Sequence, residues 1–261
     1  MKPSALAERL MAARSKGRKL LVPYLTAGYP DSATTTRAMA LFGEAGADAI
    51  ELGVPFSDPL ADGPVIAAAS QRALAGGMTV RRAIALGEAR EGSPPRVLFT
   101  YLNPLLSLGP TGAAGALSRA GFGGALVADL PFDEGEDLRA DFAAEDLPLI
   151  PLAAPTTPLD RLRALGRRAQ GFVYLIARTG VTGAGAGADR RLEERIATLR
   201  EATTLPIVVG FGIADPDSAG RAAEIADGVV VGSALVERLG KEGPQAAADW
   251  LAELRAALDR G

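Results

Sequence analysis

The chain has 261 residues, 48% of them hydrophobic, a formal net charge of -3, and neither cysteine nor histidine, which is material for one large domain. Disulfides, thiolate nucleophiles, Ser-His-Asp catalysis and most zinc chemistry are thereby excluded, so acid–base work falls to Asp, Glu, Lys or Tyr. No Lys/Arg block invites nucleic acid or an anionic membrane, no apolar run approaches the ~20 residues of a membrane helix, and no signal-peptide core opens the chain, so a cytoplasmic enzyme is expected.

Residues 4–13 read as a helix ahead of the first strand, placed to plug the bottom of a barrel. Strand-like apolar runs follow at 19–26, 49–53, 96–101, 124–128, 147–152, 171–176, 206–210 and 228–232, each trailed by a Gly/Pro/Asp turn and an Ala-rich amphipathic stretch. Such near-continuous apolar runs suit strands buried on both faces of a parallel sheet. Helix starts are marked by Asp31-Ser32, Thr157-Pro158 and Asp215-Pro216, the last two placing a cap residue before Pro at the first helical position. Residues 244–258 read as the closing helix, with Trp250 as a packing residue. Eight strand–helix units in about 250 residues are the arithmetic of a (β/α)8 barrel, and their even spacing favours a closed TIM barrel over a doubly wound open sheet. No stretch reads as a linker. The expectation is therefore a single (β/α)8 barrel domain over residues 1–261 with an extra N-terminal helix.

The second strand delivers Glu51 into its own end, and the Gly- and Pro-rich loop behind it adds Asp58 and Asp62. A lone carboxylate is costly to bury, and an isolated strand Glu is usually half of an ion pair. Three carboxylates gathered at the mouth of a barrel, where strands end and loops begin, favour a site instead. Without histidine in the chain, Glu51 is the natural candidate for proton transfer.

Three glycine-bearing strand ends lie in the second half of the chain: Thr179-Gly180-Val181-Thr182-Gly183, Gly210-Phe211-Gly212-Ile213 and Val231-Gly232-Ser233-Ala234. Glycine lets backbone N–H groups approach a phosphate, and a helix starting at Ser233 adds its dipole. Any one of these is more often a tight turn than a ligand site. Together, on strands 6, 7 and 8, they favour phosphate binding. The Gly/Ala-rich stretch 178–189, beginning with Arg178 and carrying Thr182, reads as a lid over a bound ligand.

These residues resemble the α subunit of tryptophan synthase along nearly the whole chain. The most specific stretch is Glu51-Leu-Gly-Val-Pro-Phe-Ser-Asp-Pro-Leu-Ala-Asp-Gly-Pro64. It is supported by Leu21-Val-Pro-Tyr-Leu-Thr-Ala-Gly-Tyr-Pro-Asp31, Thr100-Tyr-Leu-Asn-Pro104, Val127-Ala-Asp-Leu-Pro131, Ala153-Ala-Pro-Thr-Thr157, Tyr174-Leu-Ile-Ala-Arg-Thr-Gly-Val-Thr-Gly183 and Gly228-Val-Val-Val-Gly-Ser-Ala234. The resemblance implies cofactor-free retro-aldol cleavage of indole-3-glycerol phosphate to indole and glyceraldehyde 3-phosphate, with no metal. It makes Glu51 the proton shuttle, Asp62 the partner of the indole N–H, and Tyr174 a group near the glycerol hydroxyls. Phosphate contacts carry over to Gly183, Gly212, Gly232 and Ser233, and apolar packing of the indole to Tyr24, Phe99, Leu126 and Phe211. Thr182 reaches back to Asp62 when the lid closes. The resemblance also implies a β subunit that receives indole, in an α2β2 complex, and makes Asp58, Pro59, Asn103 and Pro104 interface candidates.

The chain departs from the family pattern at Ala67, where Gln is common, at Leu105-Leu106-Ser107-Leu108, which lacks a common aromatic residue, and in its Gly/Ala-rich lid. A stand-alone lyase releasing free indole and a catalytically silent allosteric partner are the alternatives. A different phosphosugar barrel would need a Lys or His set, and no Lys falls at the expected mouth.

Overall fold

Short runs rich in Val, Ile and Leu form strands at Leu20–Thr26 (β1), Ile50–Gly53 (β2), Arg96–Thr100 (β3), Gly124–Val127 (β4), Leu152–Ala153 (β5), Val173–Ile176 (β6), Ile207–Gly210 (β7) and Gly228–Val231 (β8) in a computed structural model that describes residues 4–109, 112–177, 186–210 and 212–260. All pairings are parallel and run β4-β3-β2-β1-β8-β7-β6-β5. A single bridge between Ala125 and Leu149 joins the two ends. The Ala125 N–H donates to the Pro148 carbonyl at 3.0 Å, and the Ile150 N–H donates to the Ala125 carbonyl at 2.7 Å. The result is a nearly closed (β/α)8 barrel.

The fifth strand differs from the expected 147–152. Only Leu152–Ala153 pair as a strand, because Pro148 and Pro151 lack the N–H groups a ladder needs.

Ser4 caps the helix Ala5–Ser15, its hydroxyl accepting from the Ala7 N–H. Leu6 and Leu10, one turn apart, pack with Leu20, Ala49, Val97 and Phe172 inside the barrel, each buried leucine contributing about 1.5–3 kcal/mol. This helix is the expected plug. Two carboxylates staple the same end. Asp227, just before β8, accepts both terminal nitrogens of Arg200 at 2.7 Å and the Ile207 N–H at 2.8 Å. Asp48, just before β2, accepts from Arg18 Nε at 2.7 Å and from the Leu21 N–H at 2.9 Å.

Helices start at Ser32 and Pro216 behind the side chains of Asp31 and Asp215, the latter in a capping box with Ser218. The expected cap at Thr157 is not formed. Pro158 holds the cap position of Leu159–Arg168, since Thr157 is drawn into a turn by its N–H to the Ala154 carbonyl and by Arg195 on its own carbonyl. The last helix, Ser233–Leu258, is broken at Gly243 (φ 88°, ψ 177°), immediately before Pro244. Its second half, residues 244–258, is the closing helix, and Trp250 is buried there against the core with the Arg238 guanidinium over its ring.

Candidate active site

Strand β2 runs between β1 and β3, and in that register Glu51 lies beside Tyr24 on one side and Val97 on the other. Its alternation points the side chain inward. Glu51 is 0% exposed and neither carboxyl oxygen has a hydrogen-bond partner. Burial, with nothing opposing it, pushes its carboxyl up to about 8. The contrast with Asp48 and Asp227 at the other end of the barrel is direct: those carboxylates are tied by arginine, whereas Glu51 is held neutral by the absence of any partner.

Glu51 opens onto a cavity of about 190 Å³ that also reaches Asp62, Tyr24, Phe99, Tyr174 and Ile66. Tyr24 and Phe99 meet edge-on with ring centroids 5.5 Å apart. Tyr24 needs Gly53 beneath it, because a Cβ there would collide with the tyrosine hydroxyl. The far wall is made by Gly212, Gly232, Ser233 and Ala234. Gly232 caps the helix that opens at Ser233, its carbonyl accepting the Leu235 and Val236 N–H groups. The N–H groups of the first helical turn have no partner within the helix, which leaves a donor cradle suited to an anion. Gly212 sits at φ 95°, a conformation that favours glycine.

Asp62 sits in the loop after β2, half-buried. Its N–H donates to the Pro59 carbonyl at 3.0 Å. Burial raises its carboxyl to about 6, opposed by the Tyr101 hydroxyl nearby. The two acids of the cavity are therefore separated: between about pH 6 and about pH 8, Glu51 is protonated and Asp62 ionised.

Of the residues singled out in the sequence, Glu51, Asp62, Tyr174, Tyr24, Phe99, Gly212, Gly232 and Ser233 line this one cavity. Leu126 does not; it is fully buried in the barrel-interior cluster with Ile150 and Phe172. Arg178, Thr182, Gly183 and Phe211 lie outside the described residues. Asp58 and Asn103 are exposed, while Pro59 and Pro104 are half-buried. Beside them Leu60 and Leu106 are 93% and 54% exposed, the large apolar side chains most open to solvent among the described residues.

Tyr101 was not singled out in the sequence. Its hydroxyl accepts from the Ala61 N–H at 3.0 Å and lies close enough to Asp62 to lower that carboxyl, and its ring packs against Phe56 at 5.1 Å. The available signal was its place one residue beyond β3, the strand next to Glu51. Ile66 and Ile213, which close the apolar side of the cavity, were also missed.

Two carboxyls of separated acidity, one buried and one half-buried, beside a helix N-terminus at the C-terminal mouth of the strands are the arrangement of a (β/α)8-barrel enzyme. The family model described as tryptophan synthase alpha chain matches residues 10–259. The tryptophan synthase alpha chain of Chloroflexus aurantiacus is 44% identical over 98% of this chain and 99% of its own length, and that of Alkalilimnicola ehrlichii is 46% identical over 97% and 96%. The solved tryptophan synthase of Mycobacterium tuberculosis superposes with a TM-score of 0.91 at 38% identity, covering 100% of both chains. The chain belongs to the tryptophan synthase alpha chain family. As a member it is a carbon–carbon lyase that cleaves indole-3-glycerol phosphate to indole and glyceraldehyde 3-phosphate, and it works with a β subunit.

Proposed function

We propose that Glu51 carries the proton in both directions during this cleavage. The observation behind the reading is a buried carboxyl with no hydrogen-bond partner, raised to about 8, sharing a cavity with Asp62 at about 6. Protonated Glu51 gives its proton to the indole ring carbon that bears the glycerol chain. The positive charge then falls on the ring nitrogen, and ionised Asp62 stabilises it while accepting the indole N–H. Glu51, now a carboxylate, takes the proton of the adjacent glycerol hydroxyl. The carbon–carbon bond breaks, its electron pair returns to the ring, and the aldehyde leaves.

Gly212, Gly232 and Ser233 hold the phosphate, Tyr24, Phe99 and Ile66 pack the indole, and the Tyr174 hydroxyl faces the glycerol chain. Gly183 joins the phosphate group, Phe211 the indole wall, and Arg178 with Thr182 the lid. Asp58, Pro59, Asn103 and Pro104 form the partner face, where exposed Leu60 and Leu106 gain most from being covered. The assembly is α2β2, the setting cytoplasmic, and residues 1–261 form one barrel domain.

The test is indole-3-glycerol phosphate cleavage by the wild-type chain and by Glu51→Gln, each with and without a β subunit. The reading expects nearly complete loss of indole formation in the variant with a phosphate-bearing ligand still bound. Near-normal turnover would remove Glu51 from the role.

A further inference from the structure

At the opposite end of the barrel, where Arg96 begins β3, a second cavity of about 420 Å³ is lined by three arginines, Arg9, Arg90 and Arg96. Arg96 is 4% exposed, which is deep for a guanidinium. One of its nitrogens donates to the Glu88 carbonyl at 2.8 Å, and its Nε is buried with no partner. Among the described residues no carboxylate pairs with any of the three, although ten ion pairs form elsewhere. Burial lowers the pKa of Arg96, and the charge of Arg90 lowers it further, with no acid opposing either effect.

We propose that this cavity is a second ligand site, which takes a small molecule carrying one carboxylate on an apolar body. The Arg90 and Arg96 guanidiniums repel and neither is ion-paired among the described residues, and a bound carboxylate relieves that repulsion through forked, charge-assisted hydrogen bonds. Met39, Leu86 and Pro94 supply an apolar wall for the rest of the ligand. Glu44, Glu88 and Glu91 also line the cavity and are exposed. With three charges of each sign the lining is balanced, so a monoanion is repelled less by the glutamates than a dianion such as phosphate. The site stands apart from the barrel mouth and does not depend on the roles given to Glu51 or Asp62.

The probe is benzoate, titrated at constant ionic strength into the full chain and followed by position-resolved amide NMR. Saturable shifts at Gly92, Ser93 and Arg96 are expected, with Arg90→Ala weakening the binding about tenfold. Arg90 is exposed, so this variant spares the buried Arg96 and the fold. Arg9→Ala, also at an exposed position, is expected to weaken binding less. An unchanged titration in Arg90→Ala, shifts confined to residues 232–234, or a response to inorganic phosphate and none to benzoate would each overturn the proposal.

Discussion

Glu51 and Val208 occupy the same place in two halves of the barrel. Glu51 on β2 is in register with Tyr24 on β1, and Val208 on β7 is in register with Tyr174 on β6. Two residues further on, Gly53 and Gly210 make room for the hydroxyls of those tyrosines. Both side chains are fully buried. Valine is what packing asks for at such a position, and a carboxyl without a partner works against the fold. The barrel thus carries at Glu51 a group that packing does not explain.

That burden is measurable as a pH-dependent stability. The folded chain holds the Glu51 proton up to about pH 8, whereas an unfolded glutamate releases it near its ordinary 4.5. Across that window the folded state binds more protons, so the stability due to Glu51 is full below pH 4.5 and is lost as pH rises through 8. Glu51→Gln keeps the shape and removes the titration. In denaturant unfolding the variant is expected to gain on the wild type by a few kcal/mol at pH 9 and by little at pH 5. A gap independent of pH would contradict the buried, raised carboxyl.

Tyr101→Phe removes a hydroxyl that accepts from the Ala61 N–H and lowers the Asp62 carboxyl. With the hydroxyl gone, the Asp62 carboxyl rises further, and the acidic limb of the rate profile is expected to move upward. The value of kcat/KM is expected to fall by up to about tenfold, the effect of losing one polar contact. A matched reduction in kcat/KM with an unmoved acidic limb would make Tyr101 a packing residue only.

Gly210→Ala places a Cβ against the Tyr174 hydroxyl. Thermal unfolding is expected to report a loss of about 1–3 kcal/mol from overpacking, reduced when Tyr174→Phe is added to the same chain. Equal losses with and without the hydroxyl would show that the glycine serves only the backbone.

Exhaustive chelation is expected to leave indole formation unchanged, because the chain offers neither histidine nor cysteine and, among the described residues, no three carboxylates gather to hold a metal. Activity lost to a chelator and restored by added metal would refute the cofactor-free route.

Most of the fold was legible because buried parallel strands are nearly continuous apolar runs, and because Asp31 and Asp215 announce their helices by side-chain caps. The failures are local. The run at 147–152 is as apolar as the others, but Pro148 and Pro151 limit its hydrogen bonding, so it closes the barrel through one bridge. Thr157 has the right chemistry for a cap, yet Arg195, 38 residues along the chain, engages its carbonyl instead. At the site, Glu51 was legible as a charge in an apolar strand. Tyr101 was not, because a tyrosine beyond a strand end is ordinary until its hydroxyl is seen holding the Ala61 N–H in the Asp62 loop. Leu126 shows the converse: its strand position alone does not distinguish the cavity wall from the packed interior.

Between about pH 6 and about pH 8 one cavity holds Glu51 protonated and Asp62 ionised. The most direct test is kcat/KM for indole-3-glycerol phosphate cleavage from pH 5 to pH 9, with the β subunit bound. The expected profile is a bell that falls below about 6, where Asp62 gains its proton, and above about 8, where Glu51 loses its own. Asp62→Asn is expected to lower the rate and erase the acidic limb. A wild-type rate that stays level or keeps rising past pH 8 would contradict the assignment of Glu51 as the acid.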